Sequence, residues 1–391
     1  MKKVIALAVS FLPTHMRPEI RELYLSTLIA NFGVAMVLLF EPIFLYTRGY
    51  SIQQIALFFI IVYVLYIVLM PIGGHVAKEF GYEHSIFIST FIFIAYYFAL
   101  YNITNSPILF LVTPALYALQ KAFYWPAYHA DFARYANRLE DAREVGGLES
   151  MVLIVNVLAP FVAGSIVQFF GFGALFICVS IILVLSNLPL MVTRETFVPK
   201  SFPYGTAFRN LFSPERRLEF ITYLGYGEEL IALTIWPIFM SIVVGNFFNL
   251  GGIIAISAFI TALFALYVGR RSDLRNKRLT LRVGSFIYSM TWLQRALVHS
   301  PLGVLASDTL GRLGKELISV PLVSLTYEEA QRSSIMQTVI FFEMSLSVGK
   351  LIALALVYTL AAVLAGTAAF TVFFVFAGLM ALLYGARTYV S

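Results

Sequence analysis

The chain has 391 residues, of which 60% are hydrophobic and only 12% charged, with a mean hydropathy of +0.85. A water-facing domain carries about 25% charged residues, so a soluble enzyme and a disordered protein are both excluded; long unbroken apolar runs also exclude the alternating pattern of a membrane β-barrel. The net charge of +6 sits mainly in short loops between apolar runs, which marks orientation in a membrane rather than binding of nucleic acid.

At the N-terminus, Lys2 and Lys3 precede a short apolar stretch, Val4 to Leu12, and then Pro13. The stretch is too short to span and no small-residue cleavage site follows, so it is expected to be an uncleaved interfacial segment. A spanning helix needs about 20 mostly apolar residues. Twelve runs meet that need, near 22–46, 54–77, 85–104, 107–130, 148–169, 172–193, 217–243, 249–269, 281–299, 301–325, 334–361 and 366–386. The longest connection, 194–216, holds Pro199, Pro203 and Pro214 and divides the chain into 1–193 and 217–391, six runs each. The lone Cys178 lies inside the sixth run and has no partner for an intrachain disulfide.

Orientation follows from the basic residues. With a cytoplasmic N-terminus, 21 of the 27 lysines and arginines fall on the cytoplasmic side, against Arg48 alone on the other. The remaining five, Lys121, Arg295, Arg312, Lys315 and Lys350, lie inside runs. The expected protein is therefore multi-pass in the cell (inner) membrane, with both termini cytoplasmic.

The halves repeat one another. The second run ends in Gly74 to Gly81 and the eighth in Gly269, Asp273, Lys277 and Arg278, each entering a cytoplasmic loop. The fourth and tenth runs each carry an intramembrane lysine (Lys121, Lys315) followed by a proline (Pro126, Pro321). Parallel six-span repeats mark transporters. On these residues the chain resembles the major facilitator superfamily over its whole length. The family's loop pattern, G-x-x-x-D-R-x-G-R-R, is matched by Gly74 and Gly81, with Lys78 and Glu79 in place of Asp and Arg. Gly146, Pro160 and Gly164 partly match its helix-5 motif. The resemblance implies an all-α membrane fold of two six-helix bundles, a cavity lined by helices 1, 4, 7 and 10 with 5 and 11 beside them, and a gating role for Gly74, Gly81, Gly269, Asp273, Lys277 and Arg278.

Nine charged residues lie well inside runs: Lys121, Glu228, Glu229, Asp308, Arg312, Lys315, Glu316, Glu343 and Lys350. Each costs about 2.5–3.5 kcal/mol at a helix centre, which makes every one a functional-site hypothesis. On the tenth run, Asp308, Arg312, Lys315 and Glu316 fall at spacings of three, four and seven and form one stripe. Asp308 and Glu316 are read as structural partners, with the longer Arg312 and Lys315 reaching the cavity. Asn31, Lys121, Asn156, Tyr226, Arg312, Lys315, Glu343 and Lys350 make up the expected substrate site. His129 and Asp131 are read as rim residues. Glu228 and Glu229 are adjacent near mid-run; desolvation and mutual repulsion disfavour two charges there, so one is expected to carry a proton. Glu229 shares a face with Thr222, Tyr226 and Trp236 and is the preferred proton-coupling residue, with Glu228 second. The flanking Gly225 and Gly227 permit a local break.

The function expected from this pattern is secondary active transport of a small polar or charged solute by alternating access, coupled to protons, in a monomer bathed by membrane lipids. A flippase or efflux carrier of the same fold is the alternative within transport, and a non-transporting scaffold or receptor the alternative outside it. No HExxH, GxSxG or Walker pattern occurs, and the histidines lie near run ends, so neither an enzyme nor any cofactor or metal is expected.

Overall fold

The break expected at Gly225 and Gly227 is present, whereas Pro126 and Pro321 lie inside continuous helices. The computed structural model describes residues 18–136, 142–189, 204–269, 277–332, 335–364 and 366–389, and the regular elements among them are all helical. Within the first run, α1 (Pro18–Leu38) and α2 (Phe40–Thr47) part at Leu39. Pro42, with no N–H, cannot bond the Leu38 carbonyl four residues back, so the helix breaks there. α3 (Ile52–Phe80) opens with a capping box: Ser51 Oγ accepts from the Gln54 amide, and the Gln54 side chain accepts from the Ser51 amide. It stops at Gly81, whose φ of +108° suits only glycine and turns the chain into α4 (Tyr82–Tyr101). α5 (Leu109–Ala136) follows, then α6 (Ala142–Ser186), a long helix divided by Gly171 at φ +82° between the fifth and sixth runs.

In the second half, α7 (Tyr204–Leu211) is a short helix before the seventh run. That run is split: α8 (Arg217–Leu224) and α9 (Gly227–Val244) are separated by Gly225 and Tyr226, where the sequence permitted a break. α10 (Phe247–Gly269), α11 (Lys277–Gln294), α12 (Pro301–Arg332), α13 (Ile335–Ala361) and α14 (Gly366–Leu382) follow, and a 3-10 helix, Leu383–Tyr389, carries Tyr384.

Among the described residues, eight helical stretches are long and apolar enough to cross a membrane, against the twelve expected. The difference lies in composition and in one kink. α5 carries Gln120 and Lys121, α11 opens on Lys277 and Arg278, and α12 carries Asp308, Arg312, Lys315 and Glu316. α6 counts once, as Ile154–Ser186, although Gly171 breaks it.

The surface is the inverse of a soluble protein's. Phe170 is 76% exposed and Phe98 74%, while Glu228 is fully buried and Lys350, Glu343 and Asp308 nearly so. Apolar outside and charged inside is the arrangement a lipid solvent selects. The two halves touch along α3 and α13, along α6 and α10, and between α2 and α9. Small residues permit these crossings. A Cβ on Gly164 of α6 would strike the Phe247 carbonyl and Gly251 of α10, and one on Gly74 of α3 would strike Ile340 of α13. The loop-motif Gly74 is thus a helix-crossing position. Gly269 ends α10, and Lys277 and Arg278 begin α11. The interfacial segment 1–17 and Asp273 lie outside the described residues.

Candidate functional site

Between the halves lies a cavity of about 520 Å³, large enough for a small organic solute. Of the expected substrate residues, Asn31 (α1), Lys121 (α5), Tyr226 (the α8–α9 break), Glu343 and Lys350 (α13) line it, together with Glu229 of α9. The α8–α9 break has a direct consequence here. It puts Tyr226 on the wall, edge-on to Phe342 at 5.6 Å and to Tyr384 at 5.2 Å.

Two hydrogen-bonded groups centred on carboxylates organise the wall. Glu229 Oε1 accepts from Lys350 Nζ at 2.8 Å, and its Oε2 lies 3.5 Å from Lys315 Nζ. Glu343 accepts from Tyr66 Oη at 2.9 Å and pairs with His129 Nε2 at 3.0 Å. The second group joins the halves, since Tyr66 and His129 come from α3 and α5 and Glu343 from α13. Lys121 is hydrogen-bonded to neither carboxylate; its Nζ lies 5.2 to 5.5 Å from the ring centroids of Tyr66, Tyr63, Tyr117 and Trp125.

Four expectations change. Asn156 is exposed on α6 and is not on the cavity wall. Depth along a run placed it, and depth does not set which way a helix residue faces. Arg312 is not on the wall either: its Nε donates to Asp308 Oδ2 at 2.7 Å. Asp308 also accepts from Ser257 Oγ at 2.7 Å and from Trp236 Nε1 at 3.1 Å, so Arg312 and Asp308 form a polar knot joining α9, α10 and α12. Lys315 is absent from the wall because it turns behind it, donating to Glu228 Oε1 and to Tyr384 Oη. His129 is no rim residue but a partner of Glu343. The stripe on α12 is therefore split between two clusters, and Glu316, one residue on from Lys315, is half-buried.

The adjacent glutamates are also separated in role. Glu228 is fully buried behind the cavity wall and accepts from Lys315, from Tyr288 Oη at 2.7 Å and from Tyr384 Oη at 2.9 Å. Glu229 faces the cavity. The repulsion expected between them is met by two ammonium groups, Lys315 between them and Lys350 beyond Glu229.

Sequence reasoning missed two tyrosines of α3, a run not expected to line the cavity: Tyr63, which is on the wall, and Tyr66, which is fully buried beside it. Two tyrosines three apart within the otherwise aliphatic VYVLYIVL stretch were the available signal. Arg295, noted inside a run but given no role, is buried, with its Cζ 3.8 Å from the Trp292 ring centroid and 4.4 Å from that of Trp236. Glu41 was missed because it sits at the end of the first run, beside Pro42, yet it is buried with Oε1 unpartnered among the described residues.

The sequence comparison decides the family. The model of the Major Facilitator Superfamily matches residues 23–248, more than half of the chain, from α1 to the start of α10. The chain belongs to the major facilitator superfamily. No curated protein matches it. Major facilitator proteins are multi-pass membrane transporters of small solutes, not enzymes in general, and the charged cavity and apolar exterior of this member agree with that class.

Proposed function

We propose that this major facilitator protein is a secondary active carrier that moves a small polar or charged solute by alternating access, coupled to protons. In this reading twelve spans form two six-helix bundles, 1–193 and 217–391, joined by the 194–216 linker. The protein lies in the cell membrane with both termini cytoplasmic and works as a monomer.

The observation that supports the reading is the Tyr66–Glu343–His129 group. It ties the two halves together at the cavity wall, which Glu343 and His129 line. A contact of this kind holds one state and must open for the halves to rock, so solute competing for its members shifts the balance between states. Coupling follows from the neighbouring pair. A solute anion drawn to Lys350 loosens its 2.8 Å contact with Glu229, and the freed carboxylate then takes a proton. Solute and proton thereby move together.

The experiment is uptake by purified protein in liposomes under an imposed pH gradient, screened over charged and zwitterionic solutes. Saturable uptake that exceeds equilibrium and collapses with the gradient is expected. Folded, inserted protein that shows no saturable flux with any solute makes it a scaffold or receptor instead.

A further inference from the structure

The ammonium groups around the cavity are not equally supplied with acceptors. Glu229 is met by Lys350 and Lys315, and Glu343 by His129 and Tyr66. Lys121 is only 8% exposed and lines the cavity, yet among the described residues it makes neither a hydrogen bond nor an ion pair. Its surroundings are the faces of Tyr63, Tyr66, Tyr117 and Trp125. Ring faces favour a cation in a desolvated site, but they leave all three ammonium donors without an oxygen acceptor. Glu41, Glu229 and Glu343 attract this ammonium from beyond hydrogen-bond reach, and an acceptor that touched it would make up for the hydrogen bonds it lacks.

The remaining wall states what the arriving molecule looks like. Phe93, Tyr124, Leu233 and Phe342 line the same space. One ammonium with no acceptor in contact, within a mainly aromatic and aliphatic wall, fits one anionic group on an apolar body.

We infer that the cavity takes organic monoanions, of the class of aryl or alkyl monocarboxylates, with the carboxylate anchored on Lys121 and the apolar body packed among the rings. This deepens the carrier reading and rests on it for the statement that such a molecule is the transported solute. The Lys121 ammonium sits in the first half of the chain and the Lys350 ammonium in the second. A carboxylate reaching from one toward the other touches both halves.

The test is calorimetric titration of the purified full-length protein with three probes of one shape: naphthoate, naphthamide and naphthylmethylamine. A short panel of phenyl and alkyl monocarboxylates runs alongside. The charge-assisted contact predicts that naphthoate binds roughly 10- to 100-fold more tightly than the amide, with the amine no better than the amide. Lys121→Gln removes that preference and leaves the amide's affinity unchanged, whereas Lys121→Arg keeps the preference. Equal binding of the three probes, preference for the amine, failure of every carboxylate in the panel, or a carboxylate preference that survives Lys121→Gln overturns the inference. The comparison on the native protein needs no variant and decides by itself if Lys121→Gln does not fold. Liposome uptake separates the two readings. Lys121-dependent carboxylate binding without any flux retains the anchor and removes the carrier. Saturable flux of amines or neutral solutes that ignores Lys121→Gln retains the carrier and removes the anchor.

Discussion

Lys315→Met is expected to destabilise the folded protein by about 3–5 kcal/mol, the usual cost of stranding one member of a buried ion pair. Glu228 is fully buried, and Lys315 is the cation it contacts. With the ammonium gone, the hydroxyls of Tyr288 and Tyr384 remain as donors, but they bring no charge. Adding Glu228→Gln to Lys315→Met removes the stranded charge while keeping the shape, so the double variant should recover most of the loss. Thermal unfolding in detergent, followed by tryptophan fluorescence, reads both numbers. Since Lys315 points behind the cavity wall, solute affinity in the double variant should stay within a few-fold of native. A Lys315→Met protein of native stability that has lost its solute would return Lys315 to the binding site where its sequence spacing had put it.

Glu229→Gln is expected to separate exchange from accumulation. The glutamine keeps the size of the carboxyl group and mimics its protonated form, and it gives up the ion pair with Lys350. The cavity should still load and reorient, so exchange of labelled for unlabelled solute across a liposome membrane persists. Uptake driven by a pH gradient should fall to the level set by simple equilibration, because no group on the wall changes protonation as the states interchange. Continued accumulation in this variant moves coupling to Glu343, the other carboxylate on the wall.

The parts of the fold legible in the sequence were those written in long windows. Apolar runs of spanning length and the Gly225-Tyr-Gly227 break each depend on local composition, and helices and a break stand at those places. Some of the cavity was legible as well. Lys121, Glu229, Glu343 and Lys350 were placed in mid-run and all reach the cavity. Direction was legible only in part. A stripe at spacings of three and four says that Asp308, Arg312 and Lys315 share a face of α12; it does not say that the face meets two neighbours. Asp308 and Arg312 go to Trp236 and Ser257 while Lys315 goes to Glu228. That division depends on how α9, α10 and α12 cross, which is a tertiary fact. His129 was misjudged for a related reason. Nearness to a run's end suggests the rim, but α5 continues to Ala136, beyond the run expected there, so His129 is still inside. Glu41 escaped notice because a charge near a run's end is read as facing water, and Tyr66 because one hydroxyl on an aromatic ring hardly alters hydropathy.

The central claim is that the two halves rock about the cavity, and paired distance measurements test it most directly. On a Cys178→Ser background, one pair of spin labels goes on the exposed positions Thr104 and Asn249, at the end of the molecule where α4 and α10 meet the loops. A second goes on Phe80 and Leu279, at the opposite ends of α3 and α11. Pulsed dipolar spectroscopy in lipid nanodiscs then follows both pairs as pH and naphthoate are varied. Alternating access predicts reciprocal change, one distance population lengthening as the other shortens, with the same midpoint for both. Two fixed distances in protein that transports, or two that lengthen together, contradict it.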